Sequence, residues 1–345
     1  MKTLFGLILA LTVLSNLAHA SRARLEALGE GKDGSYYLND ARNMFLNPAS
    51  ITQHKKKLLL ELGLADAGGG IDTPVDRRAQ GGYIDSLGDL TYAVYLNNVS
   101  NASVSTFTPV PTGAIELALA GEGLANWGVS LVRGYGPTGA NTVDTWGTRF
   151  GVSKDALSVF GTLGLYGRSI DSGVETRTKL NLDLGATYRL GDFTLLGNYQ
   201  GGSLKDDSVK SQAYGLGAGY QKQITQSVLV LGRVEARKFK LENSGPFNQN
   251  SWNLPVVVGA EAQALSWLVV RGSISHSLMG QIDQANTSVA AGVGLTFGDV
   301  TVDGLVATNN STAVAQNLGT NGLASNSAFG FGDNMISRIA MTYNF

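Results

Sequence analysis

The charged residues that could line a water-filled passage lie at alternate positions of predicted β-strands. Arg233, Glu235 and Arg237 are the clearest set, because residues two apart in a strand point to the same face. Rings of charge around an aqueous pore set its ion preference, whereas ion pairs between neighbours would only make the wall rigid, and both roles stay open. The alternation of inward and outward positions along each strand predicts that the following charged residues face inward: Glu116, Arg149, Asp183, Arg189, Arg233, Glu235, Arg237, Glu261, Asp303 and Arg338.

A series of hairpins must position these charges. In residues 179–200, apolar residues alternate with polar ones on both sides of a two-residue turn, Gly191-Asp192, and a turn this tight joins antiparallel strands. Residues 288–307 repeat the pattern around Gly298-Asp299. Five more hairpins are predicted, with turns near residues 86–89, 121–123, 154–156, 223–226 and 264–266. With an opening strand at residues 55–64 and a closing strand at residues 335–345, the count is about 16, and 14 strands remain an alternative.

Connections at the opposite ends of these strands are longer and rich in Gly, Asn, Ser and Thr, and we predict them at residues 97–112, 134–145, 243–250 and 309–334. Short turns at one rim and long polar loops at the other are typical of outer-membrane barrels. Only 15% of the residues are charged, as expected where an outer row must avoid charge in lipid. Many of the 45 glycines fall on the inner row, where they would leave room in the lumen.

The last strand sharpens the fold class. Phe345 and Tyr343 share an apolar face with Met341 and Ile339, and this pattern resembles the carboxy-terminal strand by which outer-membrane barrels of Gram-negative bacteria are recognised for assembly. The resemblance implies outer-membrane lipid and the barrel assembly machinery as partners. We therefore predict an all-β protein, an antiparallel transmembrane β-barrel with short periplasmic turns and long outer loops. A soluble secreted sandwich is the alternative, although its polar face would be denser in Lys and Glu.

Residues 1–20 predict export from the cytoplasm. A basic start, a short apolar run and an Ala18-His19-Ala20 ending are typical of a cleavable secretory signal, so we predict cleavage after Ala20 and a location in the bacterial outer membrane. An uncleaved anchor helix is the alternative. Residues 21–54 then form an N-terminal periplasmic or plug segment, and residues 55–345 form the barrel.

Residues 40–51, which include Asn47, Pro48 and Ala49, resemble the region before the barrel in the long-chain fatty acid transporter family. In that family an amino-terminal hatch with an Asn-Pro-Ala element plugs the lumen, so the resemblance implies a plug here. The chain departs from the family in its predicted strand number, since the family has 14, and in its polar lumen, since the family has a largely apolar substrate path. A simple turn into the first strand is the alternative reading of Asn47-Pro48-Ala49.

Other function classes find no support in the residue types. The chain has no cysteine, which excludes disulfides, thiolate metal sites and cysteine nucleophiles. His54 and His276 lack a serine and carboxylate constellation, and His276 is predicted to lie exposed beside a loop. We predict no enzyme activity, no cofactor and no metal. The formal net charge of −1 disfavours a nucleic-acid partner, and a homo-oligomer stays open.

Three functions fit this reading. The first is passive diffusion of small hydrophilic solutes through a porin-like channel. The second is hatch-gated transport of hydrophobic compounds across the outer membrane. The third is a structural or adhesive barrel that acts through its outer loops, chiefly residues 309–334.

Overall fold

A computed structural model describes residues 21–64, 77–99, 111–138, 141–171, 173–206, 208–243, 249–280, 287–308 and 335–345. The predicted signal segment and the predicted loop at residues 309–334 lie outside these ranges. The sheet has seventeen strands. Their bounds are β1 Lys57–Leu64, β2 Arg77–Leu87, β3 Leu90–Leu96, β4 Gly113–Gly121, β5 Asn126–Thr138, β6 Asn141–Lys154, β7 Leu157–Asp171, β8 Val174–Arg177, β9 Asn181–Leu190, β10 Phe193–Ser203, β11 Val209–Thr225, β12 Val228–Asn243, β13 Gln249–Leu265, β14 Leu268–Gly280, β15 Thr287–Phe297, β16 Val300–Thr308 and β17 Met335–Asn344.

The sheet closes on itself as an antiparallel barrel. Leu59 of β1 lies opposite Gly82 of β2 on one side and Thr342 of β17 on the other. Because β8 and β9 both pair with β7, they occupy one interrupted position, and the barrel has 16 strands around its circumference. This confirms the predicted fold class. Closure leaves no open edge, which a bilayer could not satisfy with hydrogen bonds.

The strand ends follow the predicted hairpins with one clear difference. The predicted short turns are present, among them Gly191-Asp192 and Gly298-Asp299. The predicted long loop at residues 134–145 is wrong, since β5 and β6 continue through most of it. Arg133 lies over the Trp146 ring at 4.9 Å across this ladder, and such side-chain pairs support a strand beyond the length that the bilayer requires.

The two faces of the wall differ in chemistry. Outward positions carry large exposed apolar side chains such as Leu216 and Val258. Tyr343 and Phe345 lie on this face, where Tyr83 stacks on Phe345 with ring centroids 5.4 Å apart, beside the short-turn rim. Among the described residues, the helices are all too short or too polar to cross a membrane.

The N-terminal segment, residues 21–54, packs against the inner face of the wall. It contains helix α1, Arg22–Ala27, and two 3₁₀ helices, Ala41–Phe45 and Pro48–Gln53. Each helix begins after a residue whose side chain accepts a backbone N–H bond, as N-caps do; these caps are Ser21, Asp40 and Asn47.

Besides a cluster of Leu25, Leu28 and Leu38 with Leu229 and Leu231 of β12, apolar side chains of the N-terminal segment join two further buried clusters with the wall. Ala23 and Ala27 of α1 pack with Leu305, Ala307 and Ala340 of β16 and β17. The second cluster combines both 3₁₀ helices with β1 to β4, and its members are Ala41, Met44, Phe45, Ile51, Leu59, Ile84, Ala93, Tyr95, Ala118 and Ala120.

Candidate functional site

Helix α1 places Arg24 among three carboxylates inside the barrel. Its Nε lies 2.9 Å from Oε2 of Glu261, and its Nη1 lies 3.2 Å from Oδ2 of Asp40. Arg271 of β14 completes the arrangement by pairing with both Glu261 and Asp303. Burial disfavours the charged form of Arg24, yet Glu261, Asp40 and Asp303 together outweigh burial and raise the pKa of Arg24 above its ordinary value. Burial also raises the pKa of Asp40, with Arg24 opposing the shift.

The first residues of α1 bind the wall through both backbone and side chains. Ser21 Oγ donates to Oδ2 of Asp303 at 2.7 Å, and the Arg22 backbone N–H donates to Oε1 of Glu61 at 2.9 Å. Glu26 pairs with Arg22 at 2.9 Å and with Arg338 of β17. The contacts of Ser21 with Asp303 and of Glu26 with Arg338 join residues 282 and 312 positions apart in the chain. Together the four contacts orient α1 along the wall.

The first 3₁₀ helix adds Arg42, which is fully buried. Its guanidinium pairs with Glu61 of β1, and its Nη1 also lies 3.1 Å from the Tyr95 hydroxyl. Tyr95 in turn donates to Glu61 at 3.0 Å. Opposite charges that are buried together require such additional hydrogen bonds to offset the loss of hydration.

Together these groups form what we call the ion-pair cluster. It holds five arginines and five carboxylates, with Asp33 at its edge 3.8 Å from Arg42. Its members are Arg22, Arg24, Glu26, Asp40, Arg42, Glu61, Glu261, Arg271, Asp303 and Arg338.

The predicted charge patch on β12 also reaches the N-terminal segment. Arg233 Nε lies 3.1 Å from Oε1 of Glu30, and Arg233 donates to the Gly29 carbonyl at 2.9 Å. Glu235 pairs with Arg233 at 3.4 Å and with Arg237 at 2.8 Å. The two arginines are therefore neutralised by Glu235 on the same strand and by Glu30 of the N-terminal segment.

Two other predicted residues pair across the wall. Arg149 Nη1 of β6 lies 2.5 Å from Oε1 of Glu116 on β4, and Ser130 of the intervening β5 donates to the same oxygen at 2.7 Å. Asp183 of β9 accepts a long hydrogen bond from Gln200 at 3.5 Å. Glu116 and Arg149 thus match the alternative of wall-stiffening pairs more closely than a ring of free charges.

Asn47, Pro48 and Ala49 begin the second 3₁₀ helix and touch the wall directly. Asn47 Oδ1 accepts from the Ala49 backbone N–H, and Asn47 Nδ2 donates to Ser153 Oγ, both at 3.0 Å. A Cβ on Gly151 would lie 1.8 Å from Asn47 Oδ1, and one on Gly128 would lie 2.4 Å from the backbone of Pro48 and Ala49. Glycines at inward-facing positions therefore let the N-terminal segment pack closely against the wall. The sequence predicted only that they leave room in the lumen.

A cavity of about 260 Å³ remains between the N-terminal segment and strands β5, β6, β7, β9 and β10. Tyr36 and Phe160 stack beside it with ring centroids 5.4 Å apart and an interplanar angle of 16°, and Arg189 is part of its lining. The lining is Ser35, Tyr36, Leu38, Asn39, Asn43, Leu46, Asn47, Ser50, Gln53, Asn126, Ser153, Asp155, Ala156, Ser158, Phe160, Thr187, Arg189 and Thr194.

Tyr36 belongs to the lining of this cavity, and the charges of Glu235 and Asp183 act on its hydroxyl. Burial, followed by the charges of Glu235 and Asp183, raises the pKa of Tyr36 to about 12, so its hydroxyl stays protonated at neutral pH. That hydroxyl is within hydrogen-bonding reach of Asn198 on β10. The stacked pair thus forms the inner boundary of the cavity.

Glu61, Arg271 and the charges of the N-terminal segment were missed by the sequence reasoning. Arg271 lies opposite Glu261 in a predicted hairpin, and Glu61 interrupts a run of leucines in the opening strand, so both carried a usable signal. The arginines of residues 21–54 carried none, because no strand parity applies to that segment. His276, predicted beside a loop, instead lies within β14 and bonds Thr287 at 2.8 Å.

Neither a protein-family model nor a curated protein matches this chain. Among solved structures, a bacterial polysaccharide outer membrane secretin superposes with a TM-score of 0.54 at 7% identity, covering 84% of this chain and 98% of that one. The CymD monoaromatic hydrocarbon channel gives 0.47 at 15% identity, covering 96% and 98%. A porin gives 0.44 at 11% identity, covering 84% and 99%.

The chain has the fold of outer-membrane β-barrels. At these sequence identities the likeness concerns the fold alone. The resemblance of residues 40–51 to the long-chain fatty acid transporter family stays a prediction. Within the described ranges, no group of three or more His, Asp or Glu side chains is arranged to hold a metal ion.

Proposed function

We propose that the chain is an outer-membrane channel for passive diffusion of small hydrophilic solutes, in which the N-terminal segment acts as a plug. The observation that carries this proposal is the attachment of residues 21–54 to inward-facing charges of a closed barrel. Asp303 and Arg271 are each the fourth residue of their strand after a short turn, so the plug occupies the half of the barrel nearest the short turns.

The polarity of the interior favours hydrophilic over hydrophobic solutes. The surfaces between plug and wall carry ion pairs on one side and hydroxyl and amide groups on the other. A hydrophobic compound would have to strip water from these groups without replacing their hydrogen bonds, which costs free energy. Hatch-gated transport of hydrophobic compounds is therefore the weaker proposal.

Export and assembly complete the proposal. We infer that the signal segment is removed after Ala20, and that the last strand, ending in Tyr343 and Phe345, directs the chain to the barrel assembly machinery. The exposed apolar row of the wall then faces outer-membrane lipid. In the periplasm, the short-turn rim would be the side on which the plug enters the barrel.

A reversible crosslink tests the plug directly, because the chain has no cysteine of its own. A Cβ on Gly151 would lie 3.5 Å from Cα of Asn47, so the two Cα atoms are at most about 5 Å apart, below the upper limit of about 6.8 Å for a disulfide. The double variant Asn47→Cys with Gly151→Cys is reconstituted in planar bilayers as the mature chain.

Conductance should be small while the disulfide is oxidised and should rise after reduction, to a level that depends on salt. The single variants Asn47→Cys and Gly151→Cys are the controls and should not respond to the reductant. If reduction leaves the conductance of the double variant unchanged, residues 21–54 do not act as a movable plug. A large steady conductance in the oxidised state would instead indicate an open porin.

A further inference from the structure

We propose that the cavity between the plug and strands β5 to β10 is a binding site for a small uncharged polyhydroxylated solute, a sugar or polyol of about monosaccharide size. This inference rests on the proposed function, because it names the solute class that would pass along the plug. It adds a site of defined chemistry to a channel that is otherwise described only as hydrophilic.

The lining of the cavity is rich in hydroxyl and amide groups and carries no net charge. Eleven of its residues carry hydroxyl or amide side chains, which donate as well as accept hydrogen bonds, and a sugar hydroxyl needs both. They come from the plug and from the wall alike, so a solute would bridge the two surfaces. These residues are Ser35, Asn39, Asn43, Asn47, Ser50, Gln53, Asn126, Ser153, Ser158, Thr187 and Thr194.

One of these groups needs a partner. The Oγ atom of Ser50 is buried and makes no hydrogen bond with the described residues. A buried polar group without a partner costs free energy, and if the Ser50 side chain turns towards the cavity, a bound hydroxyl removes that cost. Thr194, buried in the wall, presents a second hydroxyl to the same cavity.

The charge distribution selects a neutral solute. Only Arg189 and Asp155 are charged among the lining residues, they are of opposite sign, and both are exposed. The cavity therefore has no excess of positive or negative charge that would stabilise an anionic or a cationic solute. This differs from the surroundings of the Tyr36 hydroxyl, on which the charges of Glu235, Asp183 and Arg237 act.

Size and shape agree with this class. The volume of about 260 Å³ is just below the range of roughly 300–1,000 Å³ found for pockets of drug-sized ligands, so a single small solute fits. The Tyr36 and Phe160 rings bound the cavity on one side. Aromatic rings supply apolar contact surface, which suits the C–H face of a sugar ring.

Isothermal titration of the mature chain in detergent tests the site, with glucose and sorbitol as neutral probes and glucose 6-phosphate and glucosamine as charged ones. The key variant is Thr194→Val, and its matched control is Thr301→Val. Both threonines are buried in the wall, and each is the second residue of its strand after a Gly-Asp turn, but only Thr194 lines the cavity.

Neutral probes should bind more tightly than charged ones, and Thr194→Val should weaken their binding about three- to tenfold, the loss of one hydrogen bond. Thr301→Val should leave binding unchanged. Ser158→Ala is a second variant in the same cavity and should weaken binding in the same direction. Equal effects of the two threonine variants, preference for a charged probe, or no binding by any probe would each overturn the inference.

The crosslinked variant separates this inference from the proposed function. If Asn47→Cys with Gly151→Cys conducts after reduction while no neutral probe binds the unmodified chain, the channel stands and the solute site fails. If neutral probes bind with the expected variant pattern while the reduced protein does not conduct, the site stands as a receptor and the channel fails.

Discussion

The plug meets two opposite sides of the barrel in different ways. Along β13 to β17 and β1, α1 is held by the ion-pair cluster, in which Arg24 and Arg271 share Glu261. Along β5 to β10, the second 3₁₀ helix and neighbouring residues of the plug meet hydroxyl and amide groups and leave a cavity of about 260 Å³. These two sides lie far apart in the order of strands. We infer that the charged side attaches the plug, whereas the neutral side is where a solute passes.

The two sides differ because a buried ion pair that loses one partner costs more free energy than a neutral hydrogen bond that is broken. Removing one partner from a buried ion pair costs about 3–5 kcal/mol, because the remaining charge stays desolvated. A neutral hydrogen bond is worth only about 0.5–1.5 kcal/mol net, and a solute or water can replace it. The charged side therefore resists movement, whereas the neutral side can exchange partners.

A thiol probe can measure how firmly the plug is docked on the charged side. Ala23 of α1 is buried against β16 and β17, and the natural chain has no cysteine. In an Ala23→Cys background, the rate of labelling by a water-soluble thiol reagent reports how often α1 leaves the wall. The next two predictions use this readout.

The largest effect is expected for Glu261→Gln. The change leaves Arg24 and Arg271 without their shared carboxylate, and a loss of about 3–5 kcal/mol should speed labelling of Cys introduced at residue 23 by at least about a hundredfold. Glu242→Gln is the control, since Glu242 forms an exposed pair with Lys240 on β12 and should leave labelling unchanged. Equal rates in the two variants would contradict the role of the ion-pair cluster.

A smaller effect is expected for Gly219→Ala. Its Cβ would lie 2.1 Å from Cδ1 of Tyr37, so Tyr37 must move, at a cost of about 1–3 kcal/mol for overpacking. Labelling should accelerate by about ten- to a hundredfold. Gly197→Ala is the control, because its Cβ would meet only Leu216, at 3.7 Å. A similar response to both changes would mean that Tyr37 does not hold the plug.

The neutral side can be weakened through Asn47→Ala. This change removes the N-cap of the second 3₁₀ helix and the bond to Ser153, with an expected cost of about 1 kcal/mol. Single-channel recordings should show more frequent brief openings. Ser153→Ala removes the bond to Asn47 and the bond to Ser158 but keeps the N-cap, so it should have a weaker effect, and the reverse ranking would contradict the capping role.

The smallest effect is expected for Phe160→Leu, which removes the ring that stacks on Tyr36. Aromatic pairs contribute about 0.5–1.5 kcal/mol beyond their burial. The open probability in single-channel recordings should therefore rise by about two- to tenfold. Phe150→Leu on the outward face of β6 is the control. An equal response would place the boundary of the cavity elsewhere.

Much of the fold was predictable from local pattern. Alternation and tight turns such as Gly191-Asp192 indicated the hairpins, and the strand count of 16 follows from them. The loop at residues 134–145 was misjudged because its Gly and Thr residues are compatible with both a loop and an extended strand. Residues 134–145 are extended because β5 and β6 pair with each other there, for example through Arg133 and Trp146. Such a pairing depends on both strands and cannot be read from one segment alone.

Less of the candidate site was predictable. Strand parity alone placed Glu261, Asp303 and Arg338 on the inner face, and all three are buried there. Their partners Arg24, Ser21 and Glu26 belong to a segment whose helices are too short to show a recognisable periodicity. The cavity was also out of reach, since it is the space left after two surfaces have met.

The amino-acid sequence by itself determined a closed barrel with an apolar outer row and a polar inner row, because side-chain direction in a strand depends only on position along that strand. The tertiary structure decided which inward charges are neutralised and where a space remains. Arg24 and Glu261 are 237 residues apart, and only closure of the barrel around residues 21–54 brings them within 2.9 Å.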